Sequence, residues 1–198
     1  NYAYCFAVGE QNPDEHLYGA GLGLRMSALS KLRRAGFKSL LSDRTGNNLM
    51  SGGDTELCFA FRLAGYKLIY KPELTFKHHL SKERINWSYI KRLFSGFGQS
   101  KAFMEVYTSV ISGKPLPKEG ESPFWKDRAS YLFSELRSDL PLLFLSRFLK
   151  LEGNSRLLLA IAKQGHLQKV KELKQAYYEN YKSVYQLSIV LQEQIIKK

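Results

Sequence analysis

The chain has 198 residues and is 44% hydrophobic, enough to bury a sizeable core, which excludes a globally disordered protein. Thirty basic against 18 acidic side chains give a formal net charge of +12, the balance of a protein with an anionic partner: nucleic acid, a phosphorylated substrate or an anionic membrane surface. The only cysteines are Cys5 and Cys58, which excludes a disulfide scaffold, matches no zinc spacing and predicts a reducing compartment.

In chain order, residues 2–8 are aromatic and apolar and read as a strand. Because the chain opens on Asn1 and already inside a strand, we expect its natural N-terminus to lie further upstream. Residues 11–14 have turn chemistry. Residues 18–25 read as a strand laced with Gly19, Gly21 and Gly23, one face of which carries no side chains. A helix is predicted from Ser27 through Leu32, closed near Gly36. Residues 42–53 are polar and glycine-rich, hence a loop. A helix led by Asp54 follows, with Leu57, Phe61, Leu63 and Ala64 on its core face and Gly65 as its stop. Residues 67–70 and 74–79 read as short strands separated by Pro72. This first part therefore predicts an α/β arrangement of helices around a mixed sheet.

The second part changes character. Residues 86–110 have helical periodicity, with an interruption expected at Gly96-Phe-Gly98. Residues 113–120 form a Gly/Pro linker. Residues 121–198 read as all-helical. Val170, Leu173, Tyr177, Val184, Leu187 and Leu191 recur at heptad spacing, but Asn180 interrupts a run of only about three heptads, so a packed helix is expected over a coiled coil. The apolar run 140–151 is broken by Arg147 and Lys150 and is too short to cross a bilayer. Either these helices rest on an anionic membrane surface, with Arg147 and Lys150 reaching head groups and Lys163, Lys169, Lys171 and Lys174 adding charge, or their apolar faces pack on one another as a bundle.

The densest chemistry lies in Ser51-Gly-Gly-Asp-Thr-Glu-Leu-Cys58. Gly52 and Gly53 permit a tight turn and the close approach of another molecule. Asp54 and Glu56 fall in the first helical turn, where the dipole favours negative charge. A carboxylate held there can be a general base. It can equally be one partner of the capping pattern Ser51-x-x-Asp54. Asp54-x-Glu56 imitates a metal motif, but residues two apart on a helix face different directions, so the pair is not read as a metal site. His78 and His79 end the strand after Pro72. Strand alternation lets only one of them face a given site, and the register selects His78 as a metal or phosphate ligand, against a structural histidine. Gly19-Ala-Gly-Leu-Gly23 lacks the dinucleotide-loop spacing and reads as a wall for a ligand. Arg25 and Arg44 are candidate anion contacts, each against the alternative of a solvated surface arginine.

Five segments in register resemble the acceptor-side half of family 2 glycosyltransferases: residues 18–25, Leu41-Ser-Asp-Arg-Thr-Gly46, the Ser51–Cys58 segment, Ala64-Gly-Tyr-Lys-Leu68 and Pro72-Glu-Leu-Thr-Phe-Lys-His78. The resemblance covers roughly residues 1–110, and the helical tail is similar to that of bacterial members building surface polysaccharides. It implies a GT-A fold over residues 1–112 and inverting transfer from a nucleotide-sugar donor to a saccharide or lipid-linked acceptor. It further implies Asp54 as general base, His78 at a metal or diphosphate site, and Gly19, Gly21, Arg25, Arg44, Gly53, Glu56 and Arg92 lining the substrates. Gly53 stands where the family usually has glutamate. The divalent metal, magnesium or manganese, would be held mostly by a nucleotide-binding half that this chain does not contain. The resemblance also implies a cytoplasmic protein, peripheral on the inner face of the membrane. Two rivals use the same charge: a nucleic-acid-binding module, although no such motif is visible and the basic residues are dispersed, and a non-catalytic membrane-surface adaptor.

Overall fold

A computed structural model describes residues 16–41, 49–71, 73, 75, 77, 79–116 and 124–196. Helix accounts for about 68% of these, and none of them is in a strand. The elements are α1 (Met26–Arg34), α2 (Gly53–Leu63), α3 (Trp87–Ile111), α4 (Phe124–Leu136), α5 (Leu140–Leu145), α6 (Ser155–Leu173) and α7 (Gln175–Ile196), with single 3₁₀ turns at Lys82–Arg84 and Arg137–Asp139.

The expected α/β fold with a mixed sheet is thus replaced by an all-helical one among the described residues. A strand persists only where a neighbour takes up its N–H and C=O groups. Residues 18–25 instead bend at Gly19–Gly21, where the Leu22 N–H donates to Gly19 O at 3.1 Å and Gly21 takes φ 80°. Residues 67–70 keep the period-2 burial of a strand, with Leu68 and Tyr70 half-buried and Lys67 and Ile69 exposed, but among the described residues no ladder forms beside them. The predicted strand 2–8 and turn 11–14 lie outside the described residues, as do alternate positions of 74–79.

The helices follow their sequence signals more closely. α1 buries Ala28 and Leu32, one turn apart, and ends before Gly36 at φ 89°. α2 buries Glu56, Cys58, Phe59, Ala60 and Phe61. α3 runs unbroken for 25 residues, its first turn capped by the Asn86 side chain, which accepts from the Tyr89 N–H at 2.8 Å. The expected interruption at Gly96-Phe-Gly98 is absent because those glycines serve packing. A Cβ on Gly98 would lie 1.9 Å from the Ala162 carbonyl oxygen, one on Gly165 2.4 Å from that of Ser95, and one on Gly96 2.5 Å from that of Leu49. α6 and the chain before α2 therefore touch the backbone of α3 directly.

One core cluster draws on α1, α2, α3, α4, α6 and α7, including Leu32, Phe59, Val106, Leu132, Val170, Tyr181 and Leu191. Of the tail helices, α6 and α7 pack chiefly on α3, and α4 and α5 on α6. The heptad run is split: Lys174 takes φ 49° and separates α6 from α7. Val170 on α6 and Tyr177, Val184, Leu187 and Leu191 on α7 are nonetheless all buried. No helix among the described residues is long and apolar enough to cross a membrane.

Candidate functional site

The candidate site is built where the 19–22 turn meets the start of α2 across the middle of α3. Gly52 is the residue before the helix, at φ 132°, a conformation that favours glycine. A Cβ there would also lie 2.9 Å from Met104 Cε on α3. The Ser51 N–H donates to Ser100 Oγ at 3.2 Å, tying the approach to α2 onto α3. Ser51 does not cap the helix: the cap residue is Gly52, with no side-chain bond. The capping pattern in the sequence is not formed.

Asp54 is partly exposed in the first turn of α2. Its Oδ2 accepts the Gly19 N–H at 2.6 Å and its Oδ1 accepts the Thr55 N–H at 2.8 Å. A Cβ on Gly19 would lie 2.8 Å from that same Oδ2. The bare face of Gly19 thus admits the carboxylate, and two backbone donors fix its plane while each oxygen keeps a further lone pair.

Glu56 has a different setting. It is fully buried, and its Oε1 accepts from the Leu40 N–H (2.6 Å) and the Tyr107 hydroxyl (2.8 Å). Its Oε2 accepts from the Ser39 hydroxyl (2.5 Å) and the Leu41 N–H (3.3 Å). It pins the 39–41 segment to α2 and α3. Burial, and then the Glu56 charge, push the Tyr107 hydroxyl well above the ordinary tyrosine range.

The other expected site residues are dispersed. Gly21 lies in the turn beside Gly19 and Gly53 opens α2. Arg25 precedes α1 and Arg92 lies on the second turn of α3, both exposed. Arg92 and Arg84 each place a guanidinium 5.8 Å from the centroid of the Tyr89 ring, and Arg84 Nε donates to the Tyr89 hydroxyl at 3.1 Å. Arg44 and His78 lie outside the described residues, while His79 is exposed. Among the described residues no three His, Cys, Asp or Glu side chains form a group that could hold a metal ion.

Two neighbours of the site carried no periodic signal. His16 packs edge-on against Tyr18, 5.7 Å between centroids, and lies 6.4 Å from the Phe59 ring on α2. Cys58 is buried with its thiol 3.7 Å from Leu17 O; burial pushes that thiol up, and the nearby Asp54 charge adds to the effect. No protein-family model, curated protein or solved structure matches the chain.

Proposed function

We propose that the chain takes part in inverting sugar transfer from a nucleotide-sugar donor to an acceptor hydroxyl, with Asp54 as the general base. The observation carrying this reading is the contact between Gly19 and Asp54. Two segments that the sequence resemblance assigns to the substrates' lining meet in space, and the carboxylate between them is oriented and partly exposed, one oxygen taking the Gly19 N–H and the other the first-turn Thr55 N–H. The reading rests on these residues and their contacts, not on a GT-A fold.

The chemistry asks little more of the chain itself. An acceptor hydroxyl is a weak nucleophile. As its oxygen attacks the anomeric carbon from the face opposite the leaving group, a carboxylate oxygen takes its proton, the glycosidic bond forms and the nucleoside diphosphate departs. A placed base of this kind contributes about 10²–10⁴-fold. Tyr18, 45% exposed beside Gly19, offers an aromatic face to the acceptor. Arg25 and Arg92 supply exposed positive charge. A divalent metal would add charge stabilisation at the diphosphate, but the described residues do not form a site for one, and no step here runs through it.

The acceptor class that fits is a saccharide or lipid-linked saccharide of surface polysaccharide or glycolipid synthesis, reached by a cytoplasmic protein peripheral on the membrane. The test is nucleoside diphosphate release by the protein as its cell makes it, across a panel of UDP- and GDP-sugars with oligosaccharide and lipid-linked acceptors. Release from at least one donor, dependent on acceptor, is expected. No release from any, together with nucleic-acid affinity that falls steeply with salt, would instead favour a nucleic-acid module.

A further inference from the structure

The turn that joins α5 to α6 is built unlike the rest of the tail. α5 sends Leu142 and Leu143 inward, and Leu143 packs on the core. Its other side is bare: Phe144 is 59%, Leu145 46%, Phe148 73% and Leu149 53% exposed. The Phe144 and Phe148 rings lie 5.4 Å apart, so the outward residues form one patch and not scattered singles.

Two further features say what covers this patch. First, the N–H groups behind the apolar patch are already satisfied. The N–H groups of Ser146, Arg147, Phe148 and Leu149 donate to carbonyls of Leu142, Phe144 and Leu145, and the Ser146 hydroxyl donates to Leu143 O. Such a turn can leave water without orphaned amides, the requirement for entering the edge of a bilayer. Second, residues 140–154 carry Arg147 and Lys150 against one acidic residue, the exposed Glu152, and are net positive. Both cations are exposed and make no ion pair among the described residues, whereas Asp139 next to the segment is buried and taken up by Arg156 (3.1 Å) and Lys163 (2.9 Å). A second copy seated on this face would bring together two turns that are each net positive, in a chain already carrying +12. An anionic bilayer has the complementary charge.

We infer that the α5–α6 turn is a membrane-docking tip, in which Phe144, Leu145, Phe148 and Leu149 enter the interfacial region of an anionic bilayer while Arg147 and Lys150 meet its phosphate groups. The inference builds on the peripheral placement proposed above and assigns it to one element. It also narrows the source of charge: Lys163 is committed to Asp139, and Lys169 to Glu172 at 2.6 Å.

The test is co-sedimentation of the 198-residue chain with phosphatidylcholine vesicles, with and without one quarter phosphatidylglycerol, at low and high salt. The chain should prefer the anionic vesicles at low salt. Phe144→Ser with Phe148→Ser should weaken that binding roughly tenfold or more. Arg147→Glu with Lys150→Glu should abolish the anionic preference. All four positions are exposed, so helical circular dichroism should be unchanged. Asp54→Asn should bind vesicles like the parent, which separates failure of the docking site from failure of the chemistry. Three outcomes would overturn the inference: no anionic preference, binding untouched by the tip substitutions, or a concentration-dependent dimer that the Phe144/Phe148 variant dissolves.

Discussion

The backbone N–H of Gly19 lies 2.6 Å from Oδ2 of Asp54, although 35 positions separate them. The contact exists only because Gly19 has no Cβ, which would sit 2.8 Å from that oxygen. Gly19→Ala therefore must rotate the Asp54 side chain or shift the turn. The site is partly exposed and a side chain can move, so the cost in stability should be small, about 1 kcal/mol or less. Turnover should fall at least tenfold, because the base loses its orientation. A thermal melt beside a transfer assay checks both halves. Unchanged turnover would make the contact incidental to the chemistry.

The α3–α6 crossing makes a second prediction. At Gly98→Ala the added carbon meets the Ala162 carbonyl, which belongs to a helix backbone and cannot step aside. Gly-to-Ala gains about 1 kcal/mol of helix propensity, but separating two packed helices costs about 3 kcal/mol or more. The net effect should be a clear drop in melting temperature. Gly23→Ala, where nothing lies within 4 Å of the new carbon, should change stability by about 0.5 kcal/mol or less. Equal melts for the two variants would refute the close crossing.

Glu56 is predicted to be a structural carboxylate. In Glu56→Gln, whichever oxygen becomes an amide NH₂ faces two donors, and one of each pair is a fixed backbone N–H. A loss of about 3 kcal/mol is expected by denaturant titration. Tyr107→Phe removes one donor only and should cost about 1–2 kcal/mol. If Glu56→Gln instead kept full stability and lost only activity, Glu56 would belong with the substrates.

A fourth prediction concerns acid. Glu105 joins four helices: it accepts from Arg128 Nε (3.0 Å) and Nη2 (2.5 Å) and from the Tyr177 hydroxyl, with His166 Nε2 at 3.2 Å but off the line of a hydrogen bond. Burial pushes the Glu105 carboxyl up, but His166, Arg128 and Tyr177 outweigh it and hold the carboxyl below the ordinary glutamate value. A depressed folded value means stability that is present above the unfolded value, about 4.3, and is lost as pH falls through the folded one. The stability curve should therefore drop from about pH 4 downward, and Glu105→Gln should flatten that limb while lowering the plateau at neutral pH. A parallel acid limb in the variant would place the effect elsewhere.

The helical part of this architecture was legible because its signals are local. Glycines past the ends of α1 and α2 and the recurrent apolar positions of α3 locate those helices to within a few residues, whereas the break between α6 and α7 at Lys174 gave no signal. The sheet was misread because alternation, as at Leu68 and Tyr70, reports burial on one side and is silent about a ladder partner. The role of Gly96, Gly98 and Gly165 was missed for a related reason: a glycine's value here lies in the backbone facing it, which sequence spacing does not reveal. At the site, Asp54 in the first turn of a glycine-led helix was legible, but its contact with Gly19 was not, since 35 positions separate the two. The inward turn of Glu56 and the nearness of His16 depend on tertiary contacts alone.

The central claim is that Asp54 takes the acceptor's proton. Its most direct test compares Asp54→Asn with the parent protein, as the cell makes it, for acceptor-dependent nucleoside diphosphate release. Asparagine keeps the shape and can still accept the Gly19 N–H; its amide nitrogen then faces the Thr55 N–H, but at a partly exposed site the side chain can turn, so the melt should hold within about 1 kcal/mol. Turnover should fall about 10²–10⁴-fold. Turnover within a few fold of the parent, on a protein that is folded and active, would contradict the account and leave Asp54 as a residue that only fastens the 19–22 turn to α2.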